Sequence, residues 1–186
     1  MVQYARPDAD DTSDDNWTDK SGGSTLYTSI DEATDQDDAD DDTTYIKSID
    51  DQGANQVCIV RLSDVSAPGS SGTYIKYVAR TEDNSGGGQP PLKLELLQGS
   101  TVKATTTNSS VSTSAWTDYS YTISDVSGIS DWTDLKIRIT MMTNAGMSDP
   151  MQITQLYLLT QDAGGGGGST PIAAIAMNTY RQMRNN

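Results

Sequence analysis

The residue types best suited to chemistry in this chain are its aspartates. Asp35, Asp37, Asp38, Asp40, Asp41 and Asp42 crowd one short run, and carboxylate oxygens are the hard ligands that calcium takes. Asp37, Asp38, Asp40 and Asp42 are the candidate calcium ligands. The run does not fit an EF-hand loop, because the required Gly and the closing Glu are missing. A solvated acidic spacer is the simpler reading, since like charges at this density resist compaction. The sequence contains no histidine. That excludes Ser-His-Asp and Cys-His catalysis and any histidine-ligated zinc site. Three glutamates, Glu32, Glu82 and Glu95, complete the carboxylates, and no spacing marks out an acid–base pair. Gly86-Gly87-Gly88 lacks a following Lys and a following helix, so it reads as a hairpin loop and not a phosphate cradle. No catalytic residue and no cofactor is expected, and the chain reads as a non-enzyme.

Aromatic side chains are the other candidates. Trp116, Trp132, Tyr119 and Tyr121 have the flat faces that stack on sugar rings. Core packing is the competing role. Tyr119, Tyr121 and Ile123 fall on one face of the stretch Thr117–Ile123, as a half-buried strand would place them. The lone Cys58 sits in the apolar run Val57–Leu62 and reads as a small buried hydrophobe.

Charge divides the chain. Fourteen of the 26 acidic residues lie between Asp8 and Asp42, opposed only by Arg6 and Lys20. Residues 1–44 therefore hold a net −12 of a formal total of −14. A balance this acidic repels phosphate backbones and anionic lipid surfaces, so neither nucleic acid nor a membrane is an expected partner. No stretch reaches the roughly 18 apolar residues of a membrane span, and the first residues lack the apolar core of a secretory signal.

The hydrophobic residues divide the chain the same way. Tyr45 to Thr160 carries nearly all the Val, Ile and Leu, whereas residues 1–44 offer only Val2, Leu26, Ile30 and the ring of Trp17. The expected organisation is an acidic extended arm over 1–44, a β-sandwich or jelly roll over 45–162, and a glycine linker with a short helical tail over 163–186. Alternating apolar and polar residues predict about eight antiparallel strands, near Tyr45–Ser48, Val57–Leu62, Thr73–Arg80, Leu92–Gln98, Thr101–Thr107, Thr117–Ile123, Leu135–Met142 and Gln152–Thr160. Short strands at this spacing, with no helices between them, make an all-β sandwich. Gln98-Gly99-Ser100 reads as a tight hairpin turn.

Both ends carry apolar residues with little to pack against. In the arm, Leu26, Tyr27 and Ile30 are spaced to share one face of a helical turn capped by Ser24. Together with Trp17 they form a patch expected to pack on the sandwich or on a neighbouring molecule. After the five glycines Gly164–Gly168, Thr170 and Pro171 open a helix that is apolar nearly all round in its first turns. Its Ile172, Ile175, Met177 and Tyr180 are the candidate contacts of a tethered plug. The arm's carboxylates are expected to meet basic strips, with Lys76, Arg80, Lys136 and Arg138 of a neighbouring copy as candidates.

Several stretches carry a resemblance. They are Arg6-Pro7-Asp8-Ala9-Asp10 leading to Trp17, Leu26-Tyr27 with Ile30-Asp31-Glu32, Tyr45-Ile46-Lys47-Ser48, Ala115-Trp116-Thr117 and Ile129–Arg138. The set resembles a diffuse group of tailed-phage virion proteins with a jelly-roll domain. That resemblance implies a structural role as a capsid decoration, or cement, protein assembled in the host cytoplasm. Its partners would be the major capsid protein and other copies of itself, for example in a trimer. The alternative is a carbohydrate-binding module of a phage fibre or tail protein, which requires Trp116 or Trp132 to be exposed in a groove.

Overall fold

In the computed structural model, residues 2–13, 16–31, 43–49, 55–68, 72–82, 89–142 and 149–161 are described. They build two antiparallel sheets packed face to face, as the alternation predicts. Eleven strands run in the order β1 (Val2–Ala5), β2 (Pro7–Ser13), β3 (Trp17–Asp19), β4 (Ile46–Ser48), β5 (Gln56–Leu62), β6 (Thr73–Thr81), β7 (Leu92–Gln98), β8 (Thr101–Asn108), β9 (Thr117–Ile123), β10 (Leu135–Met141) and β11 (Met151–Gln161). The first sheet has the order β3-β4-β11-β6-β9, with β1 also paired to β11; the second has the order β2-β5-β10-β7-β8. Each strand expected from Tyr45 onward is present within a residue or so of its expected ends.

Alternation does the positioning. In β10, Leu135, Ile137 and Ile139 are buried between the sheets while Lys136 and Arg138 point outward. Its neighbour in the same sheet, β7, supplies Leu92, Leu94 and Leu96, all fully buried. Each such side chain contributes about 1.5–3 kcal/mol on leaving water. The hairpin between β7 and β8 turns at Gly99, whose φ of 59° lies in the left-handed region that favours glycine. Cys58 is fully buried, and burial pushes its thiol well above its ordinary range, which keeps it protonated and unreactive.

Residues 2–31 depart from the expected separate arm. β1 adds to the edge of β11, pairing Val2 with Gln161 and Ala5 with Leu158. One residue later the chain crosses to the other sheet, where β2 pairs with β5 from Pro7↔Leu62 to Ser13↔Cys58. Trp17 opens β3 and is 1% exposed. Leu26 and Ile30 flank a short 3-10 helix over Tyr27–Ser29, and both are fully buried in the same core. The helix is capped by Asp10, not by Ser24. The Asp10 carboxylate accepts from the backbone N–H groups of Leu26 and Tyr27, both at 2.9 Å. The physical reason for the departure is pairing. Without this segment one side of β5, and the part of β11 beyond its short pairing with β4, would lack a neighbour, and an unpaired edge is costly to leave open. Few apolar residues suffice when a segment's backbone is satisfied by ladders. The acidic run with Asp37, Asp38, Asp40 and Asp42, and the tail with Ile172, Ile175, Met177 and Tyr180, lie outside the described residues.

The outer face of the second sheet is a charge ladder. Glu95, 5% exposed, sits between Lys93 at 2.9 Å and Arg138 at 2.7 Å. Asp11 binds Lys136 at 2.9 Å and Arg61 at 3.1 Å. One carboxylate of the N-terminal segment thus meets Lys136 within the same chain, while Arg138 is taken by Glu95. The hydrogen bond from Arg138 holds the Glu95 carboxyl below its ordinary value of 4.5. A depressed folded pKa means that the stabilisation is complete above the unfolded value and is lost as pH falls through the folded one. Thermal unfolding should therefore hold nearly level from pH 7 to about 5 and decline below it. Glu95→Gln should lower stability at pH 7 by about 1.5–3 kcal/mol and flatten part of the acid decline. An unchanged acid profile in that variant would count against Glu95 as the group responsible.

Candidate ligand-binding face

The outer face of the first sheet is built differently. Strand registers place its outward side chains in rows across the strands. One row joins Tyr4 of β1, Leu159 of β11 and Tyr74 of β6. The next joins Tyr157, Lys76 and Ser120, and the next Gln155, Val78 and Asp118. The last joins Thr18, Lys47, Gln152 and Arg80, with Trp116 just before β9 beside it. From Tyr74 to Arg80 the face runs about 20 Å, at roughly 3.3 Å per residue.

The middle of this face is closely packed. Val78, Gln152, Gln155 and Tyr157 are all buried, yet Val78 and Tyr157 do not belong to the cluster between the sheets. The β-bulge between Ile153 and Gln155 explains why sequence alternation misses the pair of glutamines. It inserts Thr154, whose hydroxyl donates to the Thr44 carbonyl at 2.8 Å, so that Gln152 and Gln155 share a face three positions apart. Burial, with Tyr4 and Asp118 nearby, raises the Tyr157 phenol above its ordinary pKa, while Arg6 opposes the rise. The Tyr4 and Tyr157 rings meet edge-on at 5.9 Å.

At one end a relay of side chains fixes a tryptophan. Lys47 Nζ donates to Glu82 Oε2 at 3.0 Å, and Gln152 Nε2 donates to the same oxygen at 3.3 Å. Arg80 Nε donates to Gln152 Oε1 at 2.7 Å, and its guanidinium lies over the Trp116 ring, 4.2 Å from the centroid. Tyr45 packs on Trp116 at 5.8 Å, and Lys20 Nζ lies 5.7 Å from the Tyr45 centroid. Trp116 is partly exposed, held by its neighbours and not by the core. Side chains ordered in this way lose little freedom on binding a ligand.

The remaining sequence candidates resolve as follows. Trp132 is buried in the core. Tyr119 and Tyr121 are partly buried and pack against it. The Tyr119 ring stacks on Tyr77 at 5.1 Å, and its hydroxyl accepts from the Ser112 N–H at 2.8 Å. Trp17, Leu26 and Ile30 are consumed by the core, and Tyr27 packs on it, so this patch is not offered to a partner. Lys76 and Arg80 lie on this outer face. The face residues that sequence reasoning missed are Tyr4, Tyr74, Gln152, Gln155 and Tyr157. Among the described residues, no group of three or more Cys, Asp or Glu side chains is arranged to hold a metal ion.

No known protein family matches the sequence, and no curated protein matches it. Several solved structures share the general arrangement. A cyclase from Fischerella sp. TAU, in complex with an indolyl-butanone, is similar at a TM-score of 0.47 and 15% identity, over 87% of this chain and 74% of that one. The xylan-binding module CBM15 is similar at 0.46 and 11% identity, over 88% and 99%. An arabinose-bound GH51 α-L-arabinofuranosidase is similar at 0.46 and 14% identity, over 62% of this chain but 19% of that protein. No property of these proteins transfers to this chain at TM-scores below 0.5.

Proposed function

We propose that this chain is a non-catalytic carbohydrate-binding domain whose ligand lies along the outer face of the first sheet. The observation that carries the reading is Trp116, a partly exposed aromatic ring kept off the core and fixed by Arg80 at one end of the outer face. Sugars present apolar C–H faces and a fringe of hydroxyls. Tryptophan and tyrosine rings meet the first, and polar side chains at their edges meet the second. Binding sites of this kind combine apolar surface with a few fixed polar groups.

Beside the tail residues Ile172, Ile175, Met177 and Tyr180, which lie outside the described residues, the capsid-decoration reading drew its partner surface from Trp17, Leu26, Tyr27 and Ile30. Those side chains are engaged within the domain, which favours the sugar-binding alternative on the same virion resemblance. On that reading the domain belongs to a fibre or tail protein and holds a surface glycan.

A glycan array probed with the whole chain tests this directly. Binding to one class of oligosaccharide is expected, and Trp116→Ala should weaken it by about tenfold or more, the ~1.4 kcal/mol or greater typical of a central aromatic anchor. The variant should melt within a few degrees of the parent, because Trp116 lies outside the core. Retention of no glycan, or full affinity without the Trp116 ring, would overturn the proposal.

A further inference from the structure

We propose that the glycan held on this face is acidic, with uronic-acid carboxylates seated at Lys76 and Arg80; this rests on the carbohydrate-binding reading above. Three aromatic rings at this face each have a cation against them. Lys76 Nζ lies 5.8 Å from the Tyr74 centroid, the Arg80 guanidinium 4.2 Å from Trp116, and Lys20 Nζ 5.7 Å from Tyr45. A ring with a cation beside it complements a ligand unit that has an apolar face and a negative substituent. A uronic acid is such a unit.

Charge placement supports the same ligand. On the opposite sheet the outward cations Arg61, Lys93, Lys136 and Arg138 are bound by Asp11 and Glu95. On the candidate face Lys47 is bound by Glu82, while Lys76 and Arg80 lie against aromatic rings. Lys76 and Arg80 are four residues apart on one strand face, roughly 13 Å. That spacing suits carboxylates on sugar rings that are not immediate neighbours along an oligosaccharide. It suits nucleic acid poorly, because duplex DNA carries a charge every ~1.7 Å. The guanidinium of Arg80 matches the fork of a carboxylate.

The experiment compares oligogalacturonate, oligoalginate and glucuronic-acid-bearing xylan with the carboxyl-reduced form of each, by calorimetric titration of the full chain. At least one acidic form should bind about tenfold or more tightly than its reduced counterpart, as one charge-assisted contact supplies, and added salt should narrow the gap. Lys76→Gln and Arg80→Gln should narrow it as well. Equal affinity for both forms, or preference for the reduced form, overturns this inference and leaves carbohydrate binding standing. Binding of single-stranded DNA as tightly as the best uronate also overturns it, by showing a general anion surface. Failure to bind any of these sugars, with a neutral oligosaccharide bound on the array, removes the acidic ligand alone. Failure on both removes the carbohydrate reading too.

Discussion

Trp17→Ala should destabilise the domain by about 3–5 kcal/mol, the cost of emptying a large aromatic site in a packed core. The ring is 1% exposed and lies in the cluster with Leu26, Ile30 and Ile46. Total stabilities of single domains are roughly 5–15 kcal/mol, so the loss is a large share of the whole. In a thermal melt it corresponds to a drop on the order of 10–20 °C. A second substitution refines the reading. Trp17 Nε1 is buried and has no hydrogen-bond partner among the described residues. Trp17→Phe removes that unmet donor while keeping an aromatic ring, so it should cost far less than the alanine variant. If Trp17→Ala melts with the parent, the N-terminal segment is not part of the core.

Deleting residues 1–13 should abolish the native fold outright. The loss is not of buried apolar area, because this segment contributes little beyond Ala5 and Pro7. It is of pairing. β1 covers the β11 edge beside Leu158 and Leu159, and β2 covers the β5 edge beside Ile59 and Val60. Both edges would be left with unpaired backbone groups along apolar strands, a setting that invites aggregation. Asp10 would leave two N–H groups at the 3-10 helix without their acceptor. Asp11 would leave Lys136 and Arg61 without their carboxylate. Expression as insoluble material, or a soluble form without a cooperative melt, is the expected result. A truncated chain that stays monomeric and melts near the parent temperature would restore the separate arm.

Both experiments concern the part of the fold that the sequence hides. From Tyr45 on, period-two alternation is strong because one face of each strand is buried and the other is wet, and Leu135–Met141 illustrates the rule. Before Tyr45 that signal fails. β2 reads Pro-Asp-Ala-Asp-Asp-Thr-Ser, with no alternation and no β-branched run. Its place is fixed by the vacant edge of β5, which lies 43 or more residues ahead in the chain and is invisible to a local window. Register shifts at Pro7/Ala9 and Asp10/Thr12 further break any period. The aspartates that suggested an independent, repelling arm are in part structural. Asp10 caps a helix and Asp11 closes an ion-pair triad.

The candidate face was legible in one residue. Trp116 and its neighbours are plain in the sequence, and the choice between core and exposure turned on whether the ring precedes or lies within its strand. Gln152, Gln155 and Tyr157 were hidden because β11 is the central strand of its sheet. It is buried on both faces from Met151 to Leu158, so its outward side reads as core. A bulge then shifts its parity midway. Polar residues buried on an outward face are visible only once the register is known.

The pairing of Val2 with Gln161 brings the first strand against the last. A ribosome making this chain therefore exposes an incomplete sheet until β11 has been made. β1 must wait, unpaired, for β11. Ladders that close over such sequence distances form slowly, and the density of aspartate near the start keeps the waiting segment solvated and apart from its neighbours until β11 arrives.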